Sequence, residues 1–243
     1  MVGAGCFGRL AQKVAMSFLI VEAEGIPDVD GGRRVYGLEP DLGDRAVVKV
    51  MSHYHLQHHG RSAPFFEHHL RSVAAVSLLH CRDEEVREIG LSIDHASERE
   101  MIEAVQNRIS ACDGTPVFWD GARDVAVWLT MRAMLHGCRL DLRHQPPVEH
   151  MLGLSVTRTR RHHLAKRFGM DAYAVPDDEQ NWQVVRQQGG LASVVVRCAS
   201  NARATAMLWY RYRLVNGDMT RDEYDAVAEG LEDHKPTGVN DTA

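Results

Sequence analysis

A strand-like apolar run that ends in two acidic residues constrains the fold of this chain more than any other feature. The run is Phe18-Leu19-Ile20-Val21-Glu22-Ala23-Glu24, and Gly25 and Pro27 follow it. Because residues i and i+2 of a strand point to the same face, the carboxylates of Glu22 and Glu24 are predicted to lie side by side. Two like charges this close repel each other, and a bound divalent cation removes the repulsion. The run therefore predicts a buried strand that carries a pair of metal-binding carboxylates; the alternative is the solvated face of an edge strand.

The composition is that of an ordinary globular protein without a general basic surface. Of the 243 residues, 44% are apolar, and the formal net charge is −5, so nucleic acid would have to be bound by a local basic patch. Five cysteines without a C-x-x-C motif predict reduced thiols and a cytoplasmic location. No apolar run reaches the roughly 18 residues that a membrane-spanning helix needs, so no membrane partner is expected.

One domain with two polar ends is predicted. Residues 1–16 are interpreted as a flexible extension, with Met16 as an alternative start; a weak targeting segment is the other interpretation, because Arg9 and Lys13 occur there without an acid. Residues 17–231 form the predicted domain. Residues 232–243 are polar and predict a disordered tail.

Apolar periodicity and capping motifs predict several strands followed by a helical second half. Predicted strands cover 17–24, 46–51, 72–79, 86–93, 115–119 and, briefly, 140–142. Predicted helices cover 97–112, 123–136, 158–168, 179–188, 191–215 and 220–230, the first and last opened by S/T-x-x-E capping boxes. Residues 38–70 are predicted to be a long, histidine-rich loop inserted over one edge of the sheet. This order predicts an α/β fold with a mixed sheet, in which three meandering strands precede the crossovers, flanked by helices and followed by a helical C-terminal half.

Three groups of segments, taken in order, resemble a known pattern. The first is 18–28 with 33–37; the second is 97–100 with 117–124 and 132–137; the third is 197–201 with 209–213 and 217–220. Together they resemble the predicted 3′–5′ exonucleases related to the proofreading domain of family-B DNA polymerases, members of the DEDD exonuclease superfamily. The resemblance spans about residues 17–230 and implies a ribonuclease H-like fold.

The resemblance also implies an active site. In this superfamily four acids hold two divalent cations about 4 Å apart, which activate water and stabilise the leaving oxygen. The matching positions here are Glu22, Glu24, Asp124 and Asn201, with Arg197 at the position of a water-positioning tyrosine. If the protein is active, Glu22, Glu24 and Asp124 would bind Mg²⁺ or Mn²⁺; otherwise no cofactor is expected. Taken alone, Asp124 is interpreted as a cap at a helix N-terminus.

Departures from the family pattern at these positions predict a decayed site. Glu22 replaces an Asp and reaches roughly 1.5 Å further, and a misplacement of about 1 Å can cost on the order of 100-fold in rate. Asn201 replaces an acid, so it offers an oxygen without charge. Arg197 replaces a phenol by a fixed cation, which repels Mg²⁺ and favours phosphate.

A basic run predicts a contact with nucleic acid outside this site. Its members are Arg158, Arg160, Arg161, Lys166 and Arg167. In the related exonucleases the helical half helps to form the substrate groove, so these cations are interpreted as phosphate ligands. The alternative is a solvated helix face.

Six histidines fall within the predicted loop: His53, His55, His58, His59, His68 and His69. A zinc site would need three or four converging ligands, and no pair here lies at finger spacing from a cysteine. These histidines are therefore interpreted as a solvated loop or a partner contact, and metal binding is the alternative.

These patterns lead to three hypotheses for the function. The leading one is a catalytically decayed 3′–5′ exonuclease-like protein, a pseudoenzyme that acts as a nucleic-acid-binding or structural component of an assembly. The first alternative is an active metal-dependent exonuclease with an altered acid tetrad. The second is a protein-interaction module without a nucleic-acid role. The expected partners are single-stranded nucleic acid, a protein, or both.

Overall fold

One four-stranded sheet organises the protein, whose computed structural model describes residues 17–60, 65–82, 85–112, 115–119, 125–142, 161–174 and 176–233. The strands are β1 (Ser17–Pro27), β2 (Arg71–Arg82), β3 (Glu85–Ser92) and β4 (Thr115–Val117), in the spatial order β3-β2-β1-β4. Neighbours β1–β2 and β2–β3 are antiparallel, whereas β1–β4 is parallel. The predicted α/β class with a mixed sheet, three meandering strands and a crossover is therefore confirmed.

The helices cover most of the remaining described chain. They are α1 (Val29–Tyr36), α2 (Asp44–His59), α3 (Glu98–Ala111), α4 (Val125–His136), α5 (Arg161–Arg167), α6 (Asp178–Val185), α7 (Gly190–Asn216) and α8 (Arg221–Asp233), with a short 3₁₀ helix at His68–Leu70. The predicted helical C-terminal part is confirmed. Within the described ranges, no helix is both long and apolar enough to span a bilayer.

Both predicted capping boxes are present. The Ser97 hydroxyl accepts from the backbone N–H of Glu100, whose carboxylate accepts from the backbone N–H of Ser97. Thr220 and Glu223 make the same reciprocal pair before α8. Each box satisfies donors that a helix N-terminus otherwise leaves unpaired, so α3 and α8 begin where the sequence predicted.

The prediction for residues 38–70 was wrong. Residues 46–51, predicted as a strand, lie inside α2, and the supposed loop is largely helical. Three apolar residues of this run, Val47, Val48 and Met51, are buried, a spacing that suits one helical face. Short apolar runs do not distinguish strand from helix by periodicity alone. The brief strand predicted at 140–142 is also absent from the described chain.

The sheet is covered on both faces. Alternate residues of β1 pack on different layers: Leu19 and Val21 join the apolar cluster with α3 and α4, whereas Phe18 and Ile20 join the cluster with α7 and α8. A strand buried on both faces reads as a continuous apolar run, as β1 does. This alternation aims Glu22 and Glu24 at the layer that contains α7.

A close approach explains the glycine that follows the carboxylate pair. The β1–β2 register shifts between Glu24 and Gly25. A Cβ atom on Gly25 would lie 3.0 Å from the Trp128 ring of α4, so a side chain there would push α4 away from the sheet.

Burial of Cys81 predicts an alkaline loss of stability. The thiol lies in the core of β2, and burial raises its pKa to about 12. The unfolded thiol loses its proton near pH 9, so between about pH 9 and 12 the unfolded state binds fewer protons and folding weakens as the pH rises. At about 1.4 kcal/mol per pH unit the loss amounts to about 4 kcal/mol at most. Urea unfolding at pH 8, 9.5 and 10.5 should show a steeper decline for the wild type than for Cys81→Ala. Equal slopes would contradict the prediction.

Candidate functional site

The two acids of β1 are buried under the long helix α7. Glu22 and Glu24 are 2% and 0% exposed, and the Cys198 thiol of α7 donates to the Glu22 backbone carbonyl at 3.5 Å. The interpretation of this pair as the solvated face of an edge strand is therefore wrong, since β1 is also paired on both sides. Buried carboxylates require partners that offset the loss of water.

Arg161 of α5 is the partner of Glu22. Its Nη1 donates to Glu22 Oε2 at 2.6 Å, and its Nη2 donates to Oε1 at 3.2 Å. The guanidinium is itself buried, at 6% exposure, and Nη1 also donates to the Thr205 hydroxyl of α7 at 3.2 Å. This two-pronged geometry engages both oxygens of the carboxylate.

Asn181 and Arg197 surround Glu24. The Asn181 amide of α6 donates to Glu24 Oε2 at 3.2 Å and to the Gly25 carbonyl at 3.1 Å. Arg197 of α7 donates to the Asn181 amide oxygen, and its Nε lies 3.7 Å from Glu24 Oε1. Asn181 thus bridges the carboxylate and the guanidinium, and Arg197 contributes the compensating charge.

The amide oxygen of Asn201 binds the protein backbone. The oxygen accepts from the backbone N–H of Tyr173 at 3.0 Å, and the side chain is fully buried. The Asn201 amide nitrogen has no hydrogen-bond partner among the described residues. An oxygen held by a backbone N–H has less capacity to bind a cation, so Asn201 helps to anchor the segment before α6.

In the described part of the pocket, protein carboxylates and protein cations are equal in number. Two carboxylates, of Glu22 and Glu24, face two guanidinium groups, of Arg161 and Arg197. No group of three or more His, Cys, Asp or Glu side chains is placed to hold a metal ion within the described residues. The described residues therefore do not fit a two-metal centre, because both oxygens of Glu22 already bind the Arg161 guanidinium and Glu24 Oε2 already accepts from the Asn181 amide. Asp124, the remaining predicted acid, lies outside the described residues.

The predicted basic run divides into buried and exposed members. Arg161 is inside the pocket and does not contribute to a surface patch. Lys166 and Arg167 are exposed at the end of α5. Arg158 and Arg160 lie outside the described residues.

Asn181 is the pocket residue that sequence reasoning missed. It lies on α6 three residues after buried Asp178 and on the same side as Val184 and Val185. A polar residue on the inward face of a helix needs a polar partner. The inward position of Asn181 could therefore have been recognised from the sequence, although the sequence does not identify Glu24 as its partner.

A second buried network joins residues from the first two resembling segments. Glu98 accepts from Arg132 Nε at 2.7 Å, from the Val73 backbone at 2.7 Å and from His136 Nε2 at 2.8 Å. Arg132 also donates to Asp28 Oδ2 at 2.8 Å. Asp28 in turn caps α1 through Gly31. These hydrogen bonds connect α1, α3 and α4 to one another and to the sheet.

The histidine-rich stretch lies on α2 and the 3₁₀ helix rather than in a loop. Glu67 lies between His59, at 3.0 Å, and His69, at 3.4 Å. The hydrogen bond from His59, together with the charge of His69, lowers the pKa of Glu67. These side chains do not converge as metal ligands, within the ranges that the structure describes.

Comparison with protein-family models, with curated proteins and with solved structures finds no match to this chain. The described geometry combines a mixed α/β sheet with a carboxylate pair that the protein neutralises itself. Fold class alone does not determine function, so a function has to be argued from this pocket.

Proposed function

We propose that the protein is a non-catalytic relative of 3′–5′ exonucleases that binds single-stranded nucleic acid without cleaving it. The observation that carries the proposal is the pairing of Arg161 with both oxygens of Glu22. Where the exonuclease pattern would place a metal ion, this chain supplies a guanidinium group. The proposed scaffold is ribonuclease H-like.

The arrangement of the sheet supports this scaffold. Strand β1 is central, its acids follow the apolar run, and β4 joins it in parallel through a crossover that contains α3. Residues of the first and third resembling segments meet in the pocket, where Arg197 lies beside Glu24. Residues of the first and second segments meet in the other network, where Arg132 binds both Asp28 and Glu98.

The energetics oppose displacement of the guanidinium by a metal. Removing one partner of a buried ion pair costs about 3 to 5 kcal/mol, because the other charge is left uncompensated. A cation that entered the pocket would have to provide this energy and also lose part of its hydration shell, which Mg²⁺ does reluctantly. The remaining cation, Arg197, would add repulsion.

We expect no metal-dependent hydrolysis. A 3′-labelled single-stranded DNA or RNA, incubated with the protein and Mg²⁺ or Mn²⁺, should keep its length in denaturing gels. The physical reason is that the Glu22 carboxylate cannot hold a guanidinium and position a metal-bound water with the same two oxygens.

The matched control is a Glu24→Gln, Asp124→Asn double variant, which keeps side-chain volume and removes two of the predicted acids. Shortening that is equal in both proteins would come from a contaminating nuclease. Processive shortening by the wild type alone would overturn the proposal and favour the active exonuclease with an altered tetrad.

A further inference from the structure

A groove lies beside the carboxylate pocket, at the first turn of α2. Its open part has a volume of about 720 Å³ and is lined by Arg45, Lys49, Trp182 and Arg186, among others. A narrower part of about 300 Å³ continues to the end of β1 at Ile26 and Pro27. The two parts share Asp44, Trp182 and Arg186 and are therefore continuous. These volumes are within the range of about 300 to 1,000 Å³ typical of ligand sites.

The two parts of the groove differ in charge. The narrow part is lined by Asp28, Asp30 and Asp44 and by one cation, Arg186, which leaves −2. The open part has three cations, Arg45, Lys49 and Arg186, and one carboxylate, Asp44, which leaves +2. Asp44 is already bound by Arg186 and, at 2.7 Å, by Arg33; the hydrogen bond from Arg33 lowers the pKa of Asp44 and keeps it ionised. Arg45 and Lys49 are exposed and form no ion pair with any described residue. Two cations are thus available to an anionic ligand in a protein whose overall charge is negative.

An aromatic ring lies next to these cations. Trp182 is only partly buried, lines both parts of the groove and belongs to none of the buried apolar clusters of the described chain. The Arg186 guanidinium lies 5.1 Å from the ring centroid. A tryptophan outside the core, flanked by cations, offers a stacking surface for a flat ring that bears negative charge nearby.

Helix α6 connects this groove to the pocket. Asn181 of α6 holds Glu24, while the next residue, Trp182, lines the groove. The narrow part begins immediately after the Gly25 bulge of β1. A strand lying in the groove would therefore have one end beside the neutralised carboxylates.

We propose that this groove is the binding site for single-stranded nucleic acid, with a base stacked on Trp182 and phosphates contacting Arg45 and Lys49. The inference rests on the proposed function and names the surface that performs it. It moves the nucleic-acid contact from the basic run around α5 to the space between α2 and α6.

The ring and the apolar floor distinguish nucleic acid from an acidic peptide. An acidic peptide would use the cations and leave Trp182 and the apolar wall at Ile26, Pro27 and Val185 without a matching group. A nucleotide has both a flat apolar face, which matches Trp182, and a charged phosphate, which matches the cations of the open part.

The test is fluorescence anisotropy with labelled dT15 and rU15 at 50 and 200 mM NaCl. We expect the Arg45→Ala, Lys49→Ala double variant to bind about 10-fold more weakly. Its slope of log K against log salt should fall by about 1.4, because each phosphate that a cation neutralises contributes about 0.7 to the slope for a single strand. Trp182→Leu should weaken binding by about 5- to 150-fold, the range for one stacked base. The matched control, Lys166→Ala with Arg167→Ala, removes two exposed cations of the basic run and should change binding less than twofold. Circular dichroism and melting confirm that each variant is folded.

Three results would overturn the inference. If the α5 double variant weakens binding and the groove variants do not, nucleic-acid binding stands but belongs to the basic run. If polyglutamate displaces the oligonucleotide at equal charge concentration, the groove is a site for acidic peptides. If neither oligonucleotide binds the wild type at 50 mM NaCl, the binding part of the proposed function fails as well, whereas the expected absence of hydrolysis is measured separately and stands.

Discussion

Arg161→Met is expected to lower the free energy of unfolding by about 3 to 5 kcal/mol, because it removes the buried guanidinium that binds both oxygens of the Glu22 carboxylate. Both partners are almost fully buried, and the guanidinium binds both carboxylate oxygens. For a domain of this size the change corresponds to a fall in Tm of roughly 6 to 20 °C. Urea unfolding followed by circular dichroism measures it.

Two further variants separate this effect from general damage to α5. Lys166→Met makes the same replacement at an exposed position of the helix, and its effect should stay within about 0.5 kcal/mol. The double variant Glu22→Gln, Arg161→Met removes both charges and should recover much of the loss, since the uncompensated carboxylate is gone. If Arg161→Met is too unstable to purify, the double variant still carries the test. Wild-type stability in Arg161→Met would show that the pair does not hold the pocket.

Asp178→Asn should cost a similar amount, about 3 to 5 kcal/mol, at another buried ion pair, Arg71–Asp178. Asp178, at the start of α6, lies 2.8 Å from Arg71 Nε of β2 and accepts from the backbone N–H of Phe66 at 3.0 Å. The substitution keeps the shape of the side chain and removes its charge, so Arg71 loses its ion pair with Asp178. The Trp128 ring, 4.0 Å from the Arg71 guanidinium carbon, stabilises the cation only in part. Chemical denaturation measures the difference.

An exposed pair provides the comparison for Asp178. Arg221 and Asp225 on α8 lie 2.8 Å apart, but their side chains are 72% and 53% exposed. Asp225→Asn makes the same chemical change and should cost at most about 1 kcal/mol, because water screens the pair. Equal losses in the two variants would mean that burial does not determine the strength of the Arg71–Asp178 pair.

Much of the sheet was predictable from local pattern. The continuous apolar run of β1, the alternation in β3 and the two capping boxes each specify an element through neighbours a few residues away. The stretch 46–51 was mispredicted because Val47, Val48 and Met51 satisfy either a short strand or one face of a helix. Their burial in α2 is decided by packing against Phe66 and Leu70, which a local pattern does not contain.

The acids of the pocket were predictable, whereas their partners were not. Strand alternation placed Glu22 and Glu24 on one face, and the resemblance pointed to Arg197 and Asn201. Arg161 was predicted to be a surface cation that binds phosphate, because it belongs to a basic run in the helical half. Asn181 was missed altogether, since it lies 157 residues from Glu24.

The sequence by itself determined that β1 would be buried and would carry two adjacent carboxylates, because side-chain alternation is a local property of an extended chain. Only the tertiary structure decided that these acids pair with Arg161 and Arg197. The pair Glu22–Arg161 joins residues 139 positions apart, and such a contact depends on how α5 and α7 pack on the sheet. The same packing places Trp182 next to Arg45 and Lys49, and so creates a groove that no segment of the chain encodes alone.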